Sequence, residues 1–315
     1  MAIQKLLLAK KEVTRGTDPT PTGANIIETE GLEMLRYEGN RVQRNIDRNL
    51  IGNTQQINVD PHTVTSFAVA AAGSGTAVTP AQYGLLLLAC GMDETIDATP
   101  GSENVTYQHP VNQSDLRNAD SITLYDYRPE VSQLQKSSGV EGTVAFAMQR
   151  GELPKFNFSN LMGSYVQPAQ ATPPTGLDWS AWKDPLPPTK DNVPVFTVDG
   201  FSSCTEQFNI DFAMQVIWRD VPGCQRTLLL DYNPTGQVII QAPDIATKNF
   251  WQKLESHSVL NKIVVGLQMG NTAGQIVMVD SAEVQISNIK EQESDGMMVF
   301  AMDLLFLDRP IITTK

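Results

Sequence analysis

The pattern of apolar and polar positions reads as one strand-rich unit written twice. In the first half an arginine-bearing segment, Leu35 to Ile46, leads into Thr63-Val64-Thr65-Ser66-Phe67-Ala68-Val69. β-Branched and aromatic content makes this run a strand. A short amphipathic helix is expected at 79–90, then a strand pair ending near Val166. In the second half Gln215-Val216-Ile217-Trp218-Arg219 leads into Gly236-Gln237-Val238-Ile239-Ile240, with a helix expected at 244–256 and a strand pair ending near Leu307. Two copies are too few for a solenoid and imply a fused pair of like units.

The helices carry the match further. Thr79-Pro80-Ala81-Gln82 has the form of a capping box with proline at the first helical position. Tyr83 and Leu87 then share a face, and Gly91 ends the run. In the second copy Asp244 is the expected cap, Phe250 and Leu254 repeat the aromatic-to-leucine spacing, and Ser256-His257-Ser258 is the expected break. The strand pairs correspond too. Val144, Phe146 and Met148 alternate before a turn at Arg150-Gly151 into Lys155-Phe156-Asn157-Phe158. Val284 and Ile286 alternate before Asp295-Gly296, a strong hairpin signal, which leads into Met298, Phe300, Met302, Leu304 and Phe306. Ile276 to Val279 and Leu304 to Leu307 are apolar on both sides, so a helix, a second sheet or another subunit should cover both faces.

Irregular stretches divide the chain. Residues 1–30 form an N-terminal arm, marked by Thr17-Asp18-Pro19-Thr20-Pro21-Thr22-Gly23, which lacks periodicity. Residues 31–168 and 193–315 are the two units, and 169–192 is a proline- and tryptophan-rich linker. Its prolines exclude a central strand or a helix interior. Trp179 and Trp182 imply that the linker packs against something.

Composition narrows the functional classes. A chain of 315 residues, 41% hydrophobic, can bury one large or two ordinary cores. No apolar run approaches membrane-spanning length, and Lys10-Lys11 follows Leu6-Leu7-Leu8 rather than preceding it, so neither a spanning helix nor a signal peptide is expected. The widely spaced Cys90, Cys204 and Cys224 argue against a disulfide framework. Net charge of −12 is the wrong balance for gripping a polyanionic duplex.

Catalytic motifs are missing. His62, His109 and His257 stand alone, without a second ligand at metal-binding spacing. There is no G-x-S-x-G elbow, Walker loop or G-x-G-x-x-G. Glu291, Glu293 and Asp295-Gly296 fail the calcium-loop template. No enzyme activity, cofactor or metal is therefore expected. One cluster stands out: Arg36, Arg41, Arg44 and Arg48, interleaved with Glu38 and Asp47. It reads either as a solvated hairpin of mixed charge or as an ion-pairing contact with another subunit. The acidic neighbours disfavour phosphate.

Longer motifs resemble a known family. The opening Leu7-Leu8-Ala9-Lys10-Lys11-Glu12-Val13-Thr14-Arg15-Gly16-Thr17-Asp18-Pro19-Thr20-Pro21-Thr22-Gly23-Ala24-Asn25 resembles the start of tail tube proteins of long-tailed bacteriophages, with departures at Val13 and Arg15. Tyr83-Gly84-Leu85 through Ala89-Cys90-Gly91, Gly151-Glu152-Leu153-Pro154-Lys155-Phe156, Trp182 to Pro187, and Ala242 to Phe250 are similar to later motifs of that family. The resemblance implies a mainly β fold of two tandem tail-tube-type β-sandwich domains, each with one flanking short α-helix. It implies a structural virion protein, assembled in the host cytoplasm and located in the virion tail. Its partners would be further copies of itself in stacked homotrimeric rings, and the tape measure, tail terminator and distal tail proteins. Double-stranded DNA would pass through the channel without specific binding, and no membrane is involved. Lys10, Arg15, Gly16, Asp18 and Pro19 in the arm, with Arg41, Arg44 and Arg48, are the expected assembly-interface residues. The strands lining the lumen stay open. The competing expectation is a two-domain β-sandwich carbohydrate-binding or adhesin module, with Trp179 and Trp182 as its aromatic platform.

Overall fold

A computed structural model describes residues 4–49, 51–255, 257 and 260–315. It is mainly β, with 50% strand and 7% helix, and its sheets are antiparallel. The first half contains β1 (Leu6–Lys11), β2 (Ile26–Ile27), β3 (Glu30–Glu38), β4 (Arg41–Gln43), β5 (Gln56–Asn58), β6 (His62–Ala70), α1 (Gly84–Ala89), β7 (Asp93–Asp97), β8 (Asn104–Gln108), α2 (Gln113–Leu116), β9 (Ile122–Arg128), β10 (Gln133–Gln149), β11 (Lys155–Ser164) and β12 (Ala169–Gln170). The second half contains β13 (Val195–Val198), β14 (Thr205–Asp211), β15 (Met214–Val221), β16 (Cys224–Tyr232), β17 (Thr235–Gln241), α3 (Phe250–Leu254), β18 (Ile263–Met269), β19 (Val277–Ser294), β20 (Met297–Phe306) and β21 (Ile311–Thr314).

Strand pairing repeats in the same order. The largest sheet runs β3-β6-β11-β10-β14-β17-β20-β19, with the β10–β14 pair joining the halves. The long strands β10 and β19 each serve two sheets. The first part of β10 pairs with β9 and β12, and β9 pairs with β1. The first part of β19 pairs with β18 and β21, and β18 pairs with β13. Each strand slips register where it crosses over, between Glu141 and Thr143 in β10 and between Ile286 and Asn288 in β19. Such bulges bend a strand and let it turn from one sheet into the next. The β7–β8 hairpin departs from the repeat: it adds to the edge of β21.

The core sits between these layers and runs through both halves. Phe146, Phe156, Phe158, Phe208, Val238 and Met302 are all at most 1% exposed and belong to one cluster. At the junction Phe146 meets Phe208 with ring centroids 6.3 Å apart, and Phe196 meets Phe208 at 5.4 Å. The Asp295-Gly296 turn has φ of +51° and +77°, the left-handed pair that a tight hairpin of this kind requires. Gly73-Ser74-Gly75 is tied to the other half: Gly75 N–H donates to the Gly274 carbonyl at 2.7 Å. A Cβ on Gly73 would collide with the Gly274 backbone.

Three expectations are corrected. The first 30 residues are not wholly an irregular arm. Leu6–Lys11 is a strand paired along its length with β9, and Leu7, Leu8 and Ala9 are fully buried. An apolar run flanked by lysines gains more from burial on both faces than from solvent. The first helix starts at Gly84, not at Thr79. Thr79 N–H closes a turn onto the Thr76 carbonyl, and burial of Ala81 and Tyr83, whose hydroxyl donates to the Ala72 carbonyl at 2.9 Å, fixes where the helix can begin. The second helix is Phe250–Leu254, capped by Asn249, whose side chain accepts from Gln252 N–H at 3.1 Å. Asp244 instead organises a preceding turn by accepting from Ala246, Thr247 and Lys248 N–H. Of the break expected at Ser256-His257-Ser258, both serines lie outside the described residues.

The apolar runs also differ from one another. Val277 and Val279 are buried, whereas Leu305 and Leu307 remain 38% and 44% exposed.

Candidate functional site

The surface set apart by the fold is the open face of the eight-stranded sheet. Directly paired residues point the same way, so the register defines this face strand by strand. Ala68 stands opposite Asn157, Asn157 opposite Ala145, and Ala145 opposite Asp211. Across the next strands Asn209 stands opposite Gln237, Gln237 opposite Asp303, and Asp303 opposite Asn288. Alternate residues, such as Phe67, Phe146, Phe208 and Val238, point into the core.

The open face is therefore rich in Ala, Ser, Asn and Gln, interrupted by the apolar Leu35, Ile239 and Leu305. Its charges are few and mostly paired. Lys155 meets Glu30 at 3.2 Å and Lys290 meets Asp303 at 3.2 Å, leaving Glu33, Glu38 and Asp211. Gln237 also donates to Asp303 at 2.9 Å. Hydrogen bonds from Gln237, Lys290 and Asn288 hold the Asp303 carboxyl below its usual range despite partial burial. A shallow concavity of about 400 Å³ lies over Ala145, Asn157, Asn209 and Gln237 at the junction of the halves.

Both lateral edges of this sheet are unpaired among the described residues. At one end β3 has β6 as its partner and no strand beyond. At the other, the second part of β19, from Ile286 to Ser294, has β20 as its strand partner and no strand beyond. These edges have internal counterparts. β3 occupies in the first half the place of β14 in the second, and β19 that of β10 in the first. β14 and β10 pair with each other, Ala145 with Asp211 through Gln149 with Gln207.

The arm residues expected at an interface are engaged within the chain. Lys10 donates to the Pro19 carbonyl at 3.0 Å, which fixes both ends of the loop. Asp18 accepts from Thr20 N–H and is reached by the Tyr125 hydroxyl at 2.5 Å and Lys136 at 3.0 Å. These bonds outweigh its desolvation and lower its pKa. Gly16, at φ +77°, donates its N–H to Glu12 at 2.6 Å. Arg15 meets Glu141 at 2.5 Å and donates to the carbonyls of Ala119 and Thr227. It thus links the arm to both halves.

Two acids that the sequence reading passed over organise this region. Glu12, 5% exposed, accepts from Gly16 N–H, Ser121, Thr123 and Gly139 N–H at 2.6–2.7 Å. Glu141 is 1% exposed. Burial pushes its carboxyl up to about 8, against the opposing pull of Arg15 and Arg226. A lone acid in the apolar, glycine-flanked run Val140-Glu141-Gly142 was the signal available for it.

The arginine cluster divides. Arg36 turns to the core side of β3, meeting Asp126 at 3.1 Å and Gln133 at 3.0 Å. Arg41, Arg44 and Arg48 lie on the projecting segment of β4 and β5 and are exposed. Arg48 donates to the Gly52 and Asn53 carbonyls. The two linker tryptophans do not form a joint platform. Trp182 packs on the core and donates its indole N–H to the Ile26 carbonyl at 3.0 Å, whereas Trp179 is 43% exposed.

The three histidines are dispersed. His62 stacks on Trp218 at 5.7 Å. His257 is exposed. His109, 2% exposed, lies against Phe212 and Tyr232, and burial lowers its pKa to about 4. Cys90 is buried, which pushes its thiol up, while Cys204 and Cys224 are exposed. Among the described residues no group of three or more His, Cys, Asp or Glu could hold a metal ion, and no helix is long and apolar enough to cross a membrane.

No protein-family model matches the chain, and no curated protein is significantly similar to it.

Proposed function

We propose that the chain is a structural subunit of a bacteriophage tail tube: two tandem tail-tube-type sandwich units that assemble as homotrimeric rings and stack around a DNA channel. The observation that carries this reading is the pair of unpaired edges. Strands in the β3 and β19 positions pair inside the chain, as β14 with β10, and among the described residues are left open at the two ends of the sheet. An open edge is a template for another chain. Head-to-tail pairing of β19 with β3 of a second copy repeats the internal junction, and such heterologous contacts close into a ring when the rotation fits. Three chains supply six like units.

The sparsely charged open face suits a channel wall. Duplex DNA is held by Lys and Arg on phosphates with release of counterions, and a face whose two lysines are paired with carboxylates offers little grip. Arg36, turned to the opposite side of β3, does not contribute a basic belt. Stacking, contact with tape measure, terminator and distal tail proteins, and residence in the virion tail follow from the same reading.

The test is negative-stain microscopy of concentrated protein combined with native mass measurement. Rings or tubes whose repeat contains three chains are expected. Six chains per ring would overturn the fused-pair argument, and a persistent monomer with glycan affinity would favour a carbohydrate-binding module.

A further inference from the structure

The internal repeat extends to the hairpins inserted between edge strand and neighbour. β4 and β5 lie between β3 and β6, as β15 and β16 lie between β14 and β17. The two insertions meet different fates. The β15–β16 hairpin folds back across β10 and β11 of the first half. Thr227 donates to the Met162 carbonyl at 2.8 Å, Met214 N–H donates to Thr143 at 3.0 Å, and Leu229 packs with Leu116 and Met214. Thr227 and Leu229 are at most 1% exposed.

None of the described residues of the β4–β5 hairpin is buried. Val42 is 53%, Ile46 49% and Ile57 45% exposed. An isolated two-stranded hairpin is marginal in water, and one that displays several large apolar residues has surface in search of a partner.

We infer that the β4–β5 hairpin docks on strands β19 and β20 of a second copy of this chain, within the same ring, in the position that β15–β16 takes on β10 and β11. This rests on the ring reading above. The surface is available: Leu305 and Leu307, next to the open edge, are more than a third exposed. Charge fits as well. The hairpin presents Arg41, Arg44 and Arg48, while Glu291 and Glu293 lie exposed on the open edge of β19 and take part in no ion pair among the described residues. The bulges set the register of the two halves, matching Thr143 to Asn288. Met214, which opens β15 and bonds Thr143, then corresponds to Arg41, which opens β4. The inference places Arg41 of one copy beside Asn288 of the next.

Two experiments test this. In the first, residues 41–58 are replaced by a short turn and ring formation is followed by microscopy and sedimentation. In the second, Arg41→Cys and Asn288→Cys proteins, both carrying Cys204→Ser and Cys224→Ser, are mixed under mild oxidation. The expected results are a folded monomer from the deletion, at concentrations where the parent forms rings, and a disulfide-linked dimer from the mixture but from neither protein alone. Undiminished rings from the deletion, or rings from the mixture without the disulfide, overturn the docking and leave the ring reading intact. A parent that never forms rings overturns both. Should the deletion fail to fold, the disulfide alone decides.

Discussion

Replacing Glu12 with alanine tests how the N-terminal segment is held. Its carboxylate accepts from two backbone amides, Gly16 and Gly139, and two hydroxyls, Ser121 and Thr123, at 2.6–2.7 Å. The carboxylate thereby ties the arm to β9 and the start of β10's crossover. Hydrogen bonds to a charged group contribute about 1.5–3 kcal/mol each, but they are not additive. After truncation the two hydroxyls can rotate to other partners or water. The Gly139 amide is buried and cannot, and an unsatisfied buried donor costs about 1–3 kcal/mol, whereas the Gly16 amide, on an exposed residue, can turn to water. Adding a small cavity, the expected loss is about 2–4 kcal/mol, a sizeable share of the roughly 5–15 kcal/mol that stabilises a typical domain. For a chain of this size that corresponds to a fall in Tm of about 3–6 °C. Urea unfolding at pH 7, followed by circular dichroism and tryptophan fluorescence, measures it. Glu12→Gln keeps the shape and should recover part of the loss, since its carbonyl accepts while its amide opposes a donor. A loss below about 1 kcal/mol for Glu12→Ala would refute the reasoning, because removing a typical single neutral hydrogen bond costs that much.

Three further outcomes follow. Glu141 has a folded pKa raised from 4.5 to about 8, so the folded state holds its proton more tightly than the unfolded state does. Its contribution is fully present below pH 4.5 and is lost as pH rises toward 8; urea titrations of Glu141→Gln should lack that part of the slope. His109 is shifted the other way, to about 4, so its contribution is present above 6.5 and is lost as pH falls. His109→Phe should unfold at lower pH than the parent, as read by circular dichroism, and an unchanged acid midpoint would count against the burial argument. Deleting residues 1–25 removes β1 with its buried Leu7 and Leu8, together with Glu12, and should yield insoluble or unfolded protein rather than a folded subunit that stacks poorly.

What the chain determined by itself is local or repetitive. Alternation marked the strands, Asp295-Gly296 marked its hairpin because only a few residue types tolerate consecutive positive φ, and prolines kept 169–192 largely out of regular structure. The twofold pattern was legible because like units must repeat their apolar spacing to build like layers. What required the tertiary structure depends on residues far apart in sequence. Leu6–Lys11 is a strand only because β9, more than a hundred residues on, offers it an edge and a dry face. Both helices begin late because buried side chains and Asn249, rather than Thr79 and Asp244, decide where a helix can start. Glu12 and Glu141 look like ordinary acids until distant donors and burial surround them. The open edges are the clearest case. Nothing in β3 or β19 says that it is unpaired; that depends on which strand the register places beside it, and among the described residues no further strand does so.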